Sequence, residues 1–364
     1  MSNRKYEIAS KSFSFNLNIF ADRRSTMIGL ALLGAGRMAK VHAEAISAAG
    51  ARLVTVFDVA EAAAASLASK AGASVARTAE EALRHPEVTA VLVATSSDTH
   101  VKYVIEAVQA GKAVMCEKPL APTLSEAQQC VDALGIRAGE VFLAFNRRFD
   151  PGHGAVKKAI ENGEIGHLEQ LTITSRDPYP PPLEYIPKSG GLFRDMMIHD
   201  FDMARWMLGE EPTSIHSRGS CLVDPEIGKL GDIDTACVTL VTASGKQAVI
   251  LNSRRTAYGF DQRIEAFGSA GMVMSDNPRA TGFKRFSSTS FGAPDRFRAF
   301  FMERYGDSYR LEIEAFLSGL AKGQSALVNA ADGLRAVYLA EAAGASLRLG
   351  KAIELKPNCE ITWK

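Results

Sequence analysis

The stretch MIGLALLGAGRMAK, residues 27–40, decides the fold class. Its first eight residues form a near-continuous apolar run, as expected for a parallel strand that is covered on both faces. Gly34, Gly36 and Ala39 follow in a GxGxxA pattern that opens a helical segment. The first glycine permits a tight turn, the second lets the backbone approach a pyrophosphate, and the small third residue lets helix and strand pack closely. The stretch therefore predicts a dinucleotide-binding unit.

An acidic residue at the end of the next strand completes this pattern. The segment ARLVTVFD ends at Asp58, 24 residues after Gly34 (58 minus 34). A carboxylate at this place can accept hydrogen bonds from a ribose diol. No Arg or Lys occurs in Val59–Glu61 to meet a 2′-phosphate, which a carboxylate repels, so NAD is predicted over NADP. Arg37 is a nearby cation that works against this preference, and it and Met38 are predicted cofactor contacts.

Strand and helix patterns alternate along the first part of the chain. VTAVLVAT (88–95), KAVMCEK (112–118) and EVFLAFN (140–146) are further apolar strands with helical segments between them. This alternation is typical of a doubly wound parallel sheet. We assign residues 1–26 to an N-terminal extension and residues 27–148 to an α/β Rossmann domain that binds NAD.

The pattern changes after Asp150-Pro151. LEQLTITSR, TACVTLVTA, KQAVILNSR and RIEAFGS alternate with a period of two, and SGK joins the second and third of them as a hairpin turn. Helical patterning returns at 308–349. Residues 149–364 are therefore predicted to form an α+β domain with a large, mostly antiparallel open sheet and C-terminal helices.

Composition narrows the functional class. The 364 residues are 46% hydrophobic and 23% charged with a net charge of +1, which predicts a globular protein without a nucleic-acid partner. No apolar run approaches the roughly 18 to 20 residues of a membrane span. The five cysteines are scattered without a CxxC pair, which indicates reduced thiols in the cytoplasm. The first 26 residues lack the long apolar core of a signal peptide.

A second stretch, GGLFRDMMIHDFDMARW (190–206), combines an apolar helical face with ionisable side chains. Asp195 and His199 are four residues apart, which places them on one face of a helix. Histidine can accept and return a hydroxyl proton near neutral pH, and a carboxylate one turn away can orient its ring. Asp202 is predicted to support the imidazole more remotely. A buried histidine with only structural hydrogen bonds is the alternative.

Lys118 lies in MCEKPLA (115–121), just past the carboxyl end of a strand, where ligands bind in open α/β sheets. Taken alone, it would be read as an exposed surface lysine. Pro119 restricts the backbone beside it. A lysine next to a nicotinamide site can hydrogen-bond a substrate hydroxyl and stabilise a developing alkoxide.

These motifs together resemble the glucose–fructose oxidoreductase and inositol dehydrogenase family (Gfo/Idh/MocA), from about Met27 to about Leu355. The resemblance rests on GAGRMA, EKPL, NRRFD (146–150) and DMMIHD. It implies that the catalytic residues are Lys118, Asp195 and His199. The segments SRDPYPPP (175–182) and YGFDQRIEAFGSAG (258–271) look specifically like bacterial inositol 2-dehydrogenases.

That likeness implies polyol contacts and further cofactor contacts. The polyol contacts are Arg147, Asp177 and Tyr258, and the further cofactor contacts are Thr95, His100 and Glu117. The segment ATSSDTH (94–100) lacks the proline that many relatives have there, which weakens the assignment of Thr95 and His100. The family's sheet domain often mediates a tetramer, so a homotetramer is expected.

The predicted reaction is NAD-dependent oxidation of a secondary hydroxyl of a cyclic polyol, most simply myo-inositol to 2-keto-myo-inositol (scyllo-inosose). Whether Lys118 or His199 is the formal base stays open, because their titrations can be coupled. Another inositol isomer or a sugar is an alternative substrate. A metal-dependent hydrolase built on His199, Asp200 and His153 and a non-catalytic NAD sensor are further alternatives. No metal is predicted, because no HExxH or Cys/His cluster is present.

Overall fold

A six-stranded parallel sheet forms the first half of the molecule. The computed structural model describes residues 28–363, so the predicted extension at 1–26 lies outside the described residues. The strand order is β3-β2-β1-β4-β5-β6. The elements are β1 (Gly29–Leu33), α1 (Arg37–Ala48), β2 (Arg52–Phe57), α2 (Glu61–Ala71), β3 (Ser74–Val75), α3 (Ala79–Arg84), β4 (Ala90–Val93), α4 (His100–Gln109), β5 (Ala113–Glu117), α5 (Leu124–Leu134) and β6 (Phe142–Ala144).

This half confirms the α/β Rossmann prediction. All five residues of β1 are buried, as both-face coverage by helices requires. The chain reverses its strand order between β1 and β4, so the carboxyl ends of these strands open onto the edge where such sheets bind ligands.

A seven-stranded mixed sheet forms the second half, with the order β12-β11-β7-β10-β9-β8-β15. Only β7 and β10 pair in parallel, so the sheet is mostly antiparallel, as predicted. Its strands are β7 (Leu168–Arg176), β8 (Pro212–Ser220), β9 (Thr235–Thr242), β10 (Gln247–Ser253), β11 (Asp261–Gly268), β12 (Gly271–Ser275) and β15 (Ile353–Glu354).

The helices of this half follow the same numbering, and two further strands form a separate hairpin. The helices are α6 (Pro151–Glu161), α7 (Ile186–Ser189), α8 (Leu192–Asp195), α9 (Ile198–Leu208), α10 (Pro225–Lys229), α11 (Phe301–Arg304), α12 (Gly306–Lys322) and α13 (Ala330–Leu349), and the hairpin strands are β13 (Lys284–Ser287) and β14 (Ser290–Pro294). None of the helices in residues 28–363 is long and apolar enough to cross a membrane.

The C-terminal helices return to the first sheet. The Leu143 N–H, in β6, donates to the Val328 carbonyl, and a β-bridge joins Phe142 to Asn329. At Gly333 in α13, a Cβ atom would lie 2.3 Å from Leu143, so only glycine permits this close approach. Both halves of the molecule are therefore tied together by the last 60 or so residues of the chain.

The stretch 190–206 is not one helix, which corrects the sequence prediction. Helix α8 ends at Asp195 and α9 begins at Ile198. The main-chain carbonyl of Asp195 accepts a hydrogen bond from the Lys118 ammonium at 3.2 Å. The bond to Lys118 competes with the hydrogen bond that the Asp195 carbonyl would accept within a continuous helix. The predicted apolar face is confirmed, since Met197, Phe201, Ala204 and Leu208 are all buried.

Helix α12 buries an acidic side chain against α1. Glu312 is fully buried, and neither carboxyl oxygen has a hydrogen-bond partner among the described residues. Burial, and then the negative charge of Glu117, hold the pKa of Glu312 well above its usual value. Because the folded pKa exceeds the unfolded one, wild-type stability is intact below about pH 4 and falls as pH rises toward the folded pKa.

We therefore expect Glu312→Gln to become more stable relative to the wild type as pH rises from 5 to 9. Each pH unit between the two pKa values costs the wild type about 1.4 kcal/mol, a cost that the amide avoids. Urea unfolding at several pH values measures the difference. Glu314→Gln, on the exposed side of the same helix, is the control. A Glu312→Gln advantage that does not grow with pH would contradict a neutral buried carboxyl.

Candidate active site

The turn after β1 fits the diphosphate of a dinucleotide. Gly34 has φ +108°, and a Cβ atom there would lie 2.3 Å from the Ala94 carbonyl oxygen, so the turn requires glycine. Gly36 precedes α1 without a side-chain cap, and a Cβ atom on it would meet nothing within 4 Å. The first N–H groups of α1 are therefore accessible to an anion.

Asp58 is fixed beside this turn. Its carboxylate accepts the Ala35 N–H at 2.6 Å and the Ala60 N–H at 2.8 Å. A carboxylate has about four acceptor positions, so two remain for the hydroxyls of a ribose. The turn and Asp58 together fit NAD. Arg37, the cation near this site, lies over the Phe301 ring at 5.4 Å, and Met38 packs partly buried against the core.

The remaining predicted cofactor contacts lie at the ends of β4 and β5. The Thr95 hydroxyl accepts a hydrogen bond from Thr99 at 2.7 Å. His100 is buried with its ring nitrogens 2.8 Å from the Pro119 carbonyl and 3.2 Å from the Thr95 carbonyl. Its burial lowers its pKa. His100 therefore links the two loops.

Glu117 is buried and engaged inside the protein. Its carboxylate contacts His42 Nε2 at 2.6 Å and accepts the main-chain N–H of Lys118 at 3.0 Å. Glu117 thus fixes the backbone of the loop that carries Lys118. The peptide bond between Lys118 and Pro119 in this loop is cis.

Lys118 and His199 lie near enough for the charge of Lys118 to act on the His199 imidazole. The Lys118 ammonium donates to the Asp195 main-chain carbonyl at 3.2 Å. His199 Nδ1 is buried without a hydrogen-bond partner among the described residues, and its ring packs edge-on against Phe145. Burial, followed by the positive charges of Lys118 and Arg147, holds the pKa of His199 well below its usual value. The imidazole is therefore neutral near pH 7 and able to accept a proton.

The Asp195 carboxylate does not contact His199, in contrast to the expectation from a continuous helix. Its Oδ1 accepts the Tyr185 hydroxyl at 3.0 Å, and its Oδ2 accepts Arg254 Nη1 at 3.0 Å. The two contacts follow from the helix break, which separates Asp195 and His199 into different helices.

Asp202 does not support His199 either. Its carboxylate accepts two hydrogen bonds from the guanidinium of Arg148, at 2.8 and 2.6 Å. Asp200, one position beyond His199, instead accepts Arg147 Nη1 at 2.5 Å and Asn252 Nδ2 at 2.9 Å. Asp200 and Asp202 thus each pair with a different arginine of the NRRFD segment.

Asp177 lies close to these charged groups with a carboxylate that has no hydrogen bond to any described residue. Burial raises the pKa of Asp177 to about 6, and the charges that act on it come from Arg254, Asp195, Arg147 and Asp200. We name as the central cluster the side chains of Lys118, Arg147, Asp177, Asp195, His199 and Arg254.

Tyr258 is not brought to the central cluster. Its hydroxyl donates to Asp261 and accepts from Arg176, both at 2.8 Å. Arg176 and Asp261 are cross-strand partners whose neighbours Ser175 and Gln262 face the helices. Because side chains alternate along strands, Tyr258 contacts the opposite face of the sheet.

Sequence reasoning missed two residues of this region, Tyr185 and Arg254, and considered Asp200 only as part of a metal site. Arg254 follows Asn252 at the period-two spacing of the buried face of β10, which was a detectable signal. Nothing in the sequence alone indicated that Tyr185 reaches Asp195.

The residues of the metal-hydrolase alternative are engaged elsewhere. His153 Nδ1 lies 2.8 Å from the Ser275 hydroxyl, and Asp200 is paired with Arg147. Residues 28–363 contain no group of three or more His, Cys, Asp or Glu side chains arranged to hold a metal ion.

Comparison with known proteins agrees with this architecture. Residues 28–144 match an oxidoreductase family described by an NAD-binding Rossmann fold, and residues 153–274 match the GFO/IDH/MocA C-terminal domain. The chain is 45% identical to an inositol 2-dehydrogenase of Rhizobium meliloti, over 89% of this chain and 98% of that protein. It is 43% identical to a myo-inositol 2-dehydrogenase of Thermotoga maritima, over 90% and 98%.

Solved structures give the same result. A myo-inositol dehydrogenase from Corynebacterium glutamicum superposes with a TM-score of 0.88 at 38% identity, covering 91% of this chain and all of that one. The parallel sheet with its glycine turn, the mixed sheet that follows it and these matches over most of the chain lead to one conclusion. The protein is an NAD-dependent oxidoreductase that belongs to the Gfo/Idh/MocA family.

Proposed function

We propose that the protein oxidises a secondary hydroxyl of a cyclic polyol with NAD, and that the substrate is myo-inositol, giving 2-keto-myo-inositol. The observation that carries the proposal is the meeting of Lys118 and a neutral His199 at the carboxyl end of β5. The relatives at 45% and 43% identity are an inositol 2-dehydrogenase and a myo-inositol 2-dehydrogenase, which supports the choice of substrate.

The residues of the central cluster account for the proton chemistry. The glycine turn and Asp58 would hold NAD⁺, which would supply the hydride acceptor for the substrate carbon. His199 accepts the proton of the same hydroxyl, because its low pKa keeps the imidazole unprotonated. Lys118 donates a hydrogen bond to the substrate oxygen and stabilises the negative charge that develops on it. The Asp195 carbonyl holds the ammonium in place for this.

The same cluster suits a polyhydroxylated ring. Asp177 has a carboxylate free to accept substrate hydroxyls, and Arg147 offers guanidinium donors beside it. A site built from such groups rejects a deoxy analogue strongly, since its buried polar atoms would be left unpaired. Tyr258 stays a proposed contact of lower weight, because its hydroxyl lies on the opposite face of the sheet.

We also propose a homotetramer in the cytoplasm. The face of the second sheet opposite its helices exposes large apolar side chains, namely Val241, Phe267, Met272 and Met274. An exposed apolar patch of this kind is typical of a protein–protein contact. Light scattering on the purified protein measures the number of subunits.

A cofactor and substrate panel tests the proposal. The wild-type protein is assayed by absorbance of the reduced cofactor at mildly alkaline pH, with NAD or NADP, against myo-inositol, scyllo-inositol, D-chiro-inositol and glucose. We expect NAD-dependent turnover that favours myo-inositol. Turnover only on another isomer or on glucose would contradict myo-inositol as the substrate and leave the proposed oxidation chemistry intact. NAD binding without any turnover would favour a sensor, and hydrolytic activity abolished by a chelator would favour a metal enzyme.

His199→Gln is expected to lower kcat for the polyol by about 10²- to 10⁴-fold, the usual contribution of a positioned acid–base group. NADH affinity, measured by fluorescence titration, should stay within about twofold of the wild type, because the glycine turn and Asp58, which are proposed to hold the cofactor, are unchanged. His216→Gln, on a half-buried histidine of β8, is the matched control. Full activity in His199→Gln would remove this residue from the mechanism.

Asp58→Asn is expected to raise the ratio of NADP to NAD turnover by roughly tenfold, about 1.4 kcal/mol. The amide oxygen can still accept the Ala35 N–H, while the charge that repels a 2′-phosphate is gone. Steady-state kcat/KM for both cofactors gives the ratio. An unchanged ratio would show that Arg37 or the loop shape sets the preference.

A further inference from the structure

We infer that Arg254 is a positioning residue for the proposed polyol oxidation: it fixes the Asp195 carboxylate and the short helix α8, and so presents Lys118 to the substrate. The inference rests on the proposed function and adds a residue that touches neither Lys118 nor His199 directly.

Arg254 occupies an unusual position for an arginine. Its side chain is 1% exposed, and it continues the buried face of β10 one residue past the end of the strand. Its main-chain N–H donates to the Asp234 carbonyl at 2.8 Å, which fixes the backbone at this point. A buried guanidinium is costly unless anions balance its charge. The groups around Arg254 must therefore balance its charge.

Three carboxylates from three different elements surround this guanidinium. Asp195 ends α8 and accepts Nη1 at 3.0 Å, while Asp232 precedes β9 with Oδ2 3.7 Å from Nη2. Asp177 follows β7 and is the third by charge alone: among the neighbouring residues, Arg254 has the strongest effect on the pKa of Asp177, and it lowers that pKa. The Tyr185 hydroxyl completes the surroundings through Asp195.

The same contacts hold α8 at both ends. Asp232 Oδ1 accepts the Leu192 N–H, at the start of α8, at 3.0 Å. Asp195, at the other end, is held by Arg254, and its main-chain carbonyl accepts a hydrogen bond from the Lys118 ammonium. Arg254 thus contacts both carboxylates that hold α8, Asp232 at its start and Asp195 at its end. The main-chain carbonyl at that end positions the Lys118 ammonium.

Arg254 also favours the ionised form of Asp177, since its positive charge lowers the pKa of that carboxyl. Without this cation, the negative charges of Asp195 and Asp200 that act on Asp177 would be opposed only by Arg147, which already pairs with Asp200. Neighbouring like charges favour the protonated form of Asp177. A protonated carboxyl accepts substrate hydroxyls less well, so loss of Arg254 has both a geometric and an electrostatic effect.

The test compares Arg254→Gln, Arg254→Lys and the wild type. For Arg254→Gln we expect kcat for myo-inositol to fall about 10²-fold. The acidic limb of kcat/KM should move up by about one pH unit, because an opposite charge has been removed from the carboxylates. Arg254→Lys restores a positive charge but cannot reach both anchors, so it should return the acidic limb to its wild-type position and recover only part of kcat.

Two readouts and one control variant separate this role from a purely structural one. NADH affinity and the thermal midpoint of each variant report folding, and Arg255→Gln, at the neighbouring exposed arginine, is the matched control. Wild-type kcat/KM and pH profile in Arg254→Gln would overturn the inference. So would an acidic limb of kcat/KM that is displaced in Arg254→Lys although this variant keeps the positive charge, a result that can be read even if Arg254→Gln does not fold. A wild-type protein that oxidises no polyol would overturn the proposed function first, and this inference with it.

Discussion

The hydrogen bond from the Lys118 ammonium to the main-chain carbonyl of Asp195 is the interaction on which the rest of the site depends. It joins the end of β5 in the first sheet to α8 beside the second. A carbonyl turned toward Lys118 competes with the helical hydrogen bond at that residue, and α8 and α9 are separate helices on either side of it. The break gives Asp195 and His199 different directions, so one serves Lys118 and the other stays free.

The hydrogen bond between Lys118 and Asp195 forms only if the two sheets keep a fixed relative position. The C-terminal part of the chain fixes that position. Helix α13 passes close to Leu143 at Gly333, and the Val328 carbonyl takes the N–H of the same leucine. Helix α12 lies on α1 and covers Glu117 and His42, whose 2.6 Å contact shapes the Lys118 loop. This interface also buries Glu312 completely, and burial of an acidic side chain is unfavourable.

The sequence predicted elements better than contacts, for a physical reason. Periodicity found β7 at its observed bounds and the apolar face of α9, because burial of one face is a local property of a strand or helix. Which partner a polar side chain meets depends on elements distant in the chain. Spacing placed Asp195 beside His199 only while the helix was assumed continuous, and it could not show that Asp202 would meet Arg148. The position of Tyr258 depends on the face of the sheet that its partners Arg176 and Asp261 occupy. Alternation alone does not show which of the two faces that is.

The charges of the central cluster explain why a lysine and a neutral histidine can work side by side. Burial and two neighbouring cations keep His199 unprotonated, so it is an acceptor beside a donor rather than a second cation. The carboxylates of Asp195 and Asp200 compensate Arg254 and Arg147 pair by pair, while Asp177 is left without a hydrogen bond of its own. An acceptor without a partner, lying among paired ions, suits a ligand that brings several hydroxyl donors. An apolar ligand would leave it unsatisfied, which is why the geometry favours a polyol.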